Sequence, residues 1–325
     1  MATYKGIQGY SVQKVSSDPT TSESVGQLWY NSSAGKFKIA VEGAGSWAAV
    51  NSLTTGRSEM AACGTVTAAI ISGGEPPTTA KSETWNGTSW TEVADLQAIN
   101  YGAGGAGTST AAIAMGANAS GQTEIWNGSA WAETNNLNTG RARGAASVTG
   151  TTTACLFAGG QTYPTLYAVT ESWNGTSWTE VADLNLARNF PGGLGVQTAM
   201  LCVGGASALT EPTSLQAVTE SWNGTSWTEV NNINTARNKL GAAGITTSAL
   251  VFGGKSVSSS NVALTEKYDG TSWTEVADLG TVQSECSGFG TTAAAMAVGG
   301  NSSPTDQIVQ EWADPLYAIK TVTTS

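Results

Sequence analysis

Histidine is absent from the 325 residues. That excludes a histidine metal ligand, a Ser–His–Asp triad and an imidazole acid–base catalyst. Charge is scarce: Asp, Glu, Lys and Arg make up 12% of the chain, about half the share of an ordinary soluble domain. The balance is acidic, with a net charge of −10 and no basic stripe. Such a surface repels phosphate backbones, so no nucleic-acid partner is expected. The longest apolar runs, such as the one holding Ala249-Leu250-Val251-Phe252, reach about six residues. A spanning helix needs roughly 20, so no membrane insertion is expected. Residues Met1 to Gly6 lack the apolar core of a secretory signal, which points to synthesis and folding in a cytoplasm. Cysteine is sparse as well. Cys63, Cys155, Cys202 and Cys286 lie far apart without CxxC spacing, and read as free buried thiols rather than a disulfide frame or metal site. No cofactor and no metal are expected.

What the chain has in abundance is Gly, 40 residues, and Trp, 12 residues. The tryptophans expose a repeat. Glu-x-Trp-Asn-Gly-Thr-Ser-Trp-Thr-Glu-Val occurs at 83–93, 171–181 and 220–230, with a Tyr-Asp variant at 266–276 and a looser copy at 124–134. Its second Trp falls at Trp90, Trp131, Trp178, Trp227 and Trp273, preceded by a relative at Trp47. The spacings are 43, 41, 47, 49 and 46 residues, the period of propeller blades. Each period divides into four strand signals, a to d. A Gly/Ala-rich strand a leads to an apolar run b ending in Gly-Gly, as at Gly253-Gly254. A variable loop, the Glu-x-Trp strand c, an Asn-Gly turn and the Trp-Thr-Glu-Val strand d follow. The b runs are apolar at consecutive positions, as in strands buried on both faces.

Five Gly-Gly ends and the degenerate Gly116-Ala117 give six a/b pairs. Six c/d pairs match them if 36–41 and 47–53 count as the first. The expected fold is therefore all-β: a six-bladed β-propeller of four-stranded antiparallel blades, closed by pairing N- and C-terminal strands. In a rival closure, residues 308–312 form a c strand and 317–322 its d strand, leaving the N-terminal pair over. The domain reading is an N-terminal docking arm over 1–27 and the propeller over 28–325.

The Gly-Gly after an apolar strand, the aromatic strand beyond it and the Trp about five residues later resemble kelch-type propeller repeats. The dipeptides Gly-His and Trp-Asp of the WD repeat do not occur. The Trp-Asn-Gly-Thr-Ser-Trp-Thr-Glu-Val unit is similar to kelch-like repeats of tailed-phage virion proteins, particularly those of marine cyanobacterial phages. Residues 26–38, Gly-Gln-Leu-Trp-Tyr-Asn-Ser-Ser-Ala-Gly-Lys-Phe-Lys, resemble a hairpin common in phage tail-fibre proteins. Together the two resemblances cover 26 to about 312.

Several residue series invite a functional reading. Trp85, Trp90, Trp126, Trp131, Trp173, Trp178, Trp222, Trp227 and Trp273 recur in every blade, which favours cross-strand packing over a sugar-stacking platform. A four-residue turn would set Trp85 opposite Trp90; a two-residue turn would set it opposite Thr88. The Asn-x-Ser/Thr sequons at Asn86, Asn127, Asn174 and Asn223 coincide with these turns and read as turn chemistry. Four positions past the Leu or Ile ending each d strand stand Arg57, Asn100, Arg141, Arg188, Arg237 and Gln283. With the recurring Glu and Asp nearby, they read as ties between neighbouring blades rather than a ring gripping an anion. The b–c loops differ in length and content, so binding specificity is placed there. Glu75, Tyr163, Tyr167, Glu211 and Lys255 are their contact-capable side chains.

The resemblance implies a non-enzymatic virion protein, made in the host cytoplasm, in a tail fibre or similar appendage. The arm would dock on other virion proteins, and the loops would bind a host-surface glycan or protein. A capsid-decoration or tail protein touching only virion proteins is the alternative, and a polysaccharide-degrading enzyme ranks below it. Neither recognised catalytic boxes nor a phosphate loop with a following Lys appear. A homo-oligomer is compatible with the sequence.

Overall fold

The structure is a computed structural model that describes residues 12–19, 26–42, 45–118, 120–210, 213–258, 260–301, 306–314 and 317–323. Among them are strands and turns but no helix. The chain divides into two compact units: Ser46–Ala313, and a smaller one formed by Met1–Gly45 with Asp314–Ser325. The division thus falls at Ser46 rather than at residue 28. Residues 28–42 carry their own hairpin, whose second strand pairs with C-terminal residues.

The larger unit is propeller-like, built from four-stranded antiparallel sheets of order a-b-c-d. The first sheet contains Ala61–Thr65, Ala68–Ser72, Ser82–Trp85 and Trp90–Val93. The second contains Gly104–Thr108, Ala111–Ala117, Gln122–Trp126 and Trp131–Glu133. Ala145–Ala146, Cys155–Ala158, Thr170–Trp173 and Trp178–Val181 make the third. The fourth is Gly192–Val196, Ala199–Val203, Thr219–Trp222 and Trp227–Val230. The fifth is Gly241–Ile245, Ser248–Phe252, Thr265–Tyr268 and Trp273–Val276. The sixth joins Ser287–Gly290, Ala294–Val298 and Val309–Ala313 to the N-terminal strand Ser46–Val50.

That sixth sheet takes one strand from each sequence-based closure, the d strand near 47–53 from the first and the c strand near 308–312 from the rival, and pairs N- with C-terminal residues as expected. Its c strand comes from the C-terminal part of the chain and its d strand from the N-terminal part, with Trp312 opposite Trp47. Lys36–Glu42 and Tyr317–Thr321, each expected to be a blade strand, pair with one another in the smaller unit. Their sheet is completed by Leu28–Asn31 and, in parallel, by Gln13–Val15. So part of the expected arm is tied to the hairpin; residues 1–11 and 20–25 lie outside the described residues. The Asp18 carboxylate fastens this sheet, accepting from Trp29 Nε1 at 3.0 Å, Asn31 Nδ2 at 2.7 Å and Lys38 Nζ at 2.7 Å.

Six hydrophobic clusters lie in the larger unit, each shared by two successive sheets. The paired aromatics belong to them. Trp85 stands opposite Trp90, and the same register holds in the next four sheets. The ring centres of these pairs are 4.8–5.6 Å apart. The turn makes this register: Asn86 Oδ1 accepts from the N–H groups of Thr88 and Ser89, and Gly87 takes φ +91°. Asp269 does the same in the fifth sheet, with Thr271 and Ser272. All four cysteines are buried free thiols.

The seams between sheets alternate, so the repeating unit is two sheets long. Four residues past the Trp of strand d stands Ala94, Ala182 or Ala277 in odd sheets and Asn51, Asn135 or Asn231 in even ones. Each of these asparagines donates through Nδ2 across its seam to a turn carbonyl: Thr88, Thr176 and Thr271, at 2.7–2.8 Å. At the alanine seams the indole N–H of Trp131, Trp227 or Trp47 donates instead to the hydroxyl of Ser82, Thr170 or Thr265. The inner strands follow the same rhythm. A Cβ on Gly105, Gly193 or Gly288 would lie 2.4–2.5 Å from the backbone of Ala62, Ala146 or Ala242. Only glycine allows strands to approach so closely.

Candidate functional site

Each inner strand of the larger unit is preceded by a residue in left-handed backbone conformation. These are Glu59 (φ 55°), Gly102 (71°), Arg143 (61°), Phe190 (51°), Lys239 (58°) and Glu285 (58°). Their N–H groups form a cycle. Gly102 donates to the carbonyl of Glu59 (2.9 Å), Arg143 to Gly102 (2.7 Å), Phe190 to Arg143 (2.8 Å), Lys239 to Phe190 (2.9 Å), Glu285 to Lys239 (2.7 Å) and Glu59 to Glu285 (3.1 Å). Glycine meets the backbone demand without a side-chain clash, as at Gly102. The other five positions carry long or aromatic side chains in a conformation that costs about 1–2 kcal/mol for an L-residue. Strain of this kind concentrates where side chains serve a site.

The side chains form a rim around a cavity of about 120 Å³ whose wall includes Gly104, Gly192 and Gly241. Arg143 grips Glu59 with two bonds, Nε at 2.8 Å and Nη2 at 3.0 Å, and reaches Glu75 at 3.3 Å. Its guanidinium also lies 4.8 Å from the Phe190 ring centre and 5.2 Å from that of Tyr101. Lys239 Nζ lies 4.8 Å from the Phe190 centre and 2.7 Å from Glu285. Ser58 Oγ donates to Glu285 at 3.3 Å. Cations, carboxylates and aromatic rings thus surround one opening.

Desolvation dominates at Glu59 and pushes its carboxyl up to about 7, against the lowering pull of Arg143 and with repulsion from Glu285 and Glu75 adding to it. The folded protein therefore holds a proton there that the unfolded chain releases near pH 4.5. Stability from this group is complete below that pH and is lost as pH rises through about 7. Thermal unfolding of Glu59→Gln should lack the decline that the native chain shows across this window. Parallel melting-temperature curves from pH 4 to 8 would contradict it.

Of the five expected loop residues, only Glu75 joins the rim, through Arg143. Tyr163 is 81% exposed, at the tip of the hairpin formed by Gln161–Thr162 and Thr165–Leu166. Tyr167 is half-buried, and its N–H donates to Gly160. Lys255 is half-buried in a short strand paired with Arg237–Asn238. Glu211 lies outside the described residues. The rim was missed because its residues share no side-chain type. Their common signal is position, two residues beyond the Arg/Asn/Gln series.

That series forms interlocks between sheets. Arg57, Arg141, Arg188 and Arg237 are fully buried and reach Glu83, Glu171, Glu220 and Glu266 of the following sheet at 2.6, 2.5, 2.9 and 3.3 Å. These carboxylates also accept from turn N–H groups, as Glu171 does from Asn138 and Thr139. An anion-gripping ring is excluded for these arginines, since their charges are enclosed and paired.

No family model matches the sequence, and no curated protein matches it. Among solved structures, the chain is similar to one titled "Structure of YjhT", with a TM-score of 0.65 at 10% identity. The similarity covers 83% of this chain and 99% of the other. At that identity the likeness concerns the fold, and it supports a propeller-like architecture for the larger unit.

Proposed function

We propose that the chain is a non-enzymatic virion protein of a tailed phage that binds the host surface. In this reading the larger unit is a six-bladed kelch-like propeller, closed where Ser46–Val50 pairs with Val309–Ala313. The smaller unit, with the N-terminal segment, docks on other virion proteins. The b–c face is turned outward, and the rim around the central cavity is its recognition site. One observation carries the binding role: five large side chains occupy left-handed positions around a single opening where glycine would serve the scaffold. Donors and acceptors at close range suit a ligand rich in hydroxyl groups, such as a host-surface glycan. The virion context rests on the sequence resemblance.

The test is binding of the labelled full chain to host cells, with phage adsorption as competitor. Saturable binding that blocks adsorption is expected. The double variant Arg143→Ala/Lys239→Ala should bind at least tenfold more weakly while keeping its β-sheet circular-dichroism spectrum. The prior pairing of both cations with carboxylates favours a second reading, a structural protein contacting only virion proteins. A folded native chain that leaves host cells unlabelled would support that reading instead.

A further inference from the structure

The interlock between the first and second sheets lacks its cation. Asn100 stands where four other seams carry arginine, and its side chain is too short to cross. It is 2% exposed, and its Oδ1 has no partner and lies against Gly73. Glu124, the carboxylate it should meet, is 3% exposed. Among the described residues it accepts only from backbone N–H groups, Gln97 at 2.8 Å and Ala98 at 3.4 Å.

Beside Glu124 lies a cavity whose lining matches part of what surrounds those guanidinium groups. In the third sheet Arg141 feels Glu171, Asp183 and Glu180, and in the fifth Arg237 feels Glu266, Asp278 and Glu275. The matching residues of the second sheet are Glu124, Asn136 and Glu133. With Gln122, Thr123 and Thr134 they line a cavity of about 170 Å³. Gln122 occupies the place of Val169, whose carbonyl accepts from Arg141 Nη2 at 3.1 Å. Thr123 is 1% exposed and its Oγ1 has no partner. Glu133 and Asn136 are exposed, so the cavity opens to solvent at their side. The sixth sheet shows the neutral solution to the same problem. There Gln310 replaces the Glu and Gln283 the Arg, bonded to each other at 2.6 Å. The second sheet has lost the Arg and kept the Glu.

We propose that this cavity binds a guanidinium group, carried by a small molecule or by an arginine side chain of a partner protein. The planar fork would take up the bonds that the chain's own arginines make at the equivalent seams, with Glu124 at the floor and Glu133 at the entrance. An ammonium of the same charge lacks the fork and fits less well. Burial, reinforced by Glu133, holds the Glu124 carboxyl above its ordinary range, against the backbone donors. An arriving cation reverses that.

Calorimetric titration of the full chain with methylguanidinium is the test, with methylammonium as the control. Saturable binding of methylguanidinium, at least tenfold tighter than methylammonium, is expected. Glu124→Gln should lose binding at least tenfold. It should fold, because Gln310 Oε1 already accepts from the N–H groups of Gly280 and Thr281 at the equivalent place. Asn100→Arg should also lose binding and melt at a higher temperature, its own guanidinium occupying the cavity. The tripeptide Gly-Arg-Gly separates the sources: binding as tight as methylguanidinium assigns the group to a partner's side chain, and failure beside a binding methylguanidinium assigns it to a small molecule. No saturable binding by the native chain, or equal binding by Glu124→Gln, overturns the proposal.

Discussion

Arg141→Ala is expected to lower the unfolding free energy by about 3–5 kcal/mol, among the largest losses any single change in this chain should cause. The guanidinium is fully buried and satisfies several acceptors at once. Nε donates to Gly159 at 2.8 Å, Nη2 to Phe157 and Val169 at 3.1 Å, and Nη1 to Thr139 at 2.9 Å and Glu171 at 2.5 Å. Burial alone pulls the guanidinium below its ordinary range, so the pair exists because each charge compensates the other. Removing one leaves Glu171 enclosed without a cation. The double change Arg141→Gln/Glu171→Gln should recover much of the loss. Its precedent is in the sixth sheet, where Gln283 Nε2 donates to Gly299 at 2.6 Å and Ile308 at 3.2 Å while Gln310 completes the bridge. Urea unfolding of the single and double variants measures both effects. A double variant no more stable than Arg141→Ala would refute the compensation argument.

Removing Ser46–Val50 should have the second large effect. A chain covering 51–313 keeps every strand of the first five sheets and three strands of the sixth. It loses Trp47, which packs 4.8 Å from Phe252 and 5.5 Å from Trp312, ring centre to ring centre. It also exposes Val309–Ala313 as an unpaired edge, a template for association. Broad, weakly cooperative unfolding and aggregation are expected from this chain. The chain 46–313, which keeps the strand and lacks the smaller unit, should unfold in one transition. Calorimetric scans of both chains compare them directly. Equal cooperativity would mean that the pairing with Val309–Ala313 contributes little to the integrity of the larger unit.

The repeat made most strands legible, because five of the six b strands end in a glycine pair and the five c–d turns repeat almost unchanged. The Trp85–Trp90 register was one of two options from sequence; the Asn86 side chain, capping two N–H groups, decided it. The terminal strands were harder. Residues 36–41 and 317–322 have the alternation of blade strands, and period-two patterning does not reveal which partner a strand will find. The rim around the central cavity left no composition signal, since Glu, Gly, Arg, Phe, Lys and Glu share only a backbone angle. The alternation of seams was written in the sequence, as Ala against Asn four residues past the Trp of each d strand. It emerges only when alternate copies are compared.

The split origin of the sixth sheet sets an order of events in the making of the protein. Ser46–Val50 leaves the ribosome early, yet its partner Val309–Ala313 follows roughly 260 residues later. At about 5–20 residues per second the strand waits some 13–50 seconds. During that interval Ser46–Val50 has no native strand partner, while the first five sheets can form one after another beside it. Within the larger unit the last seam to join is therefore the one that uses its first strand, so the time to reach the native state has a floor set by elongation rather than by the pairing of strands.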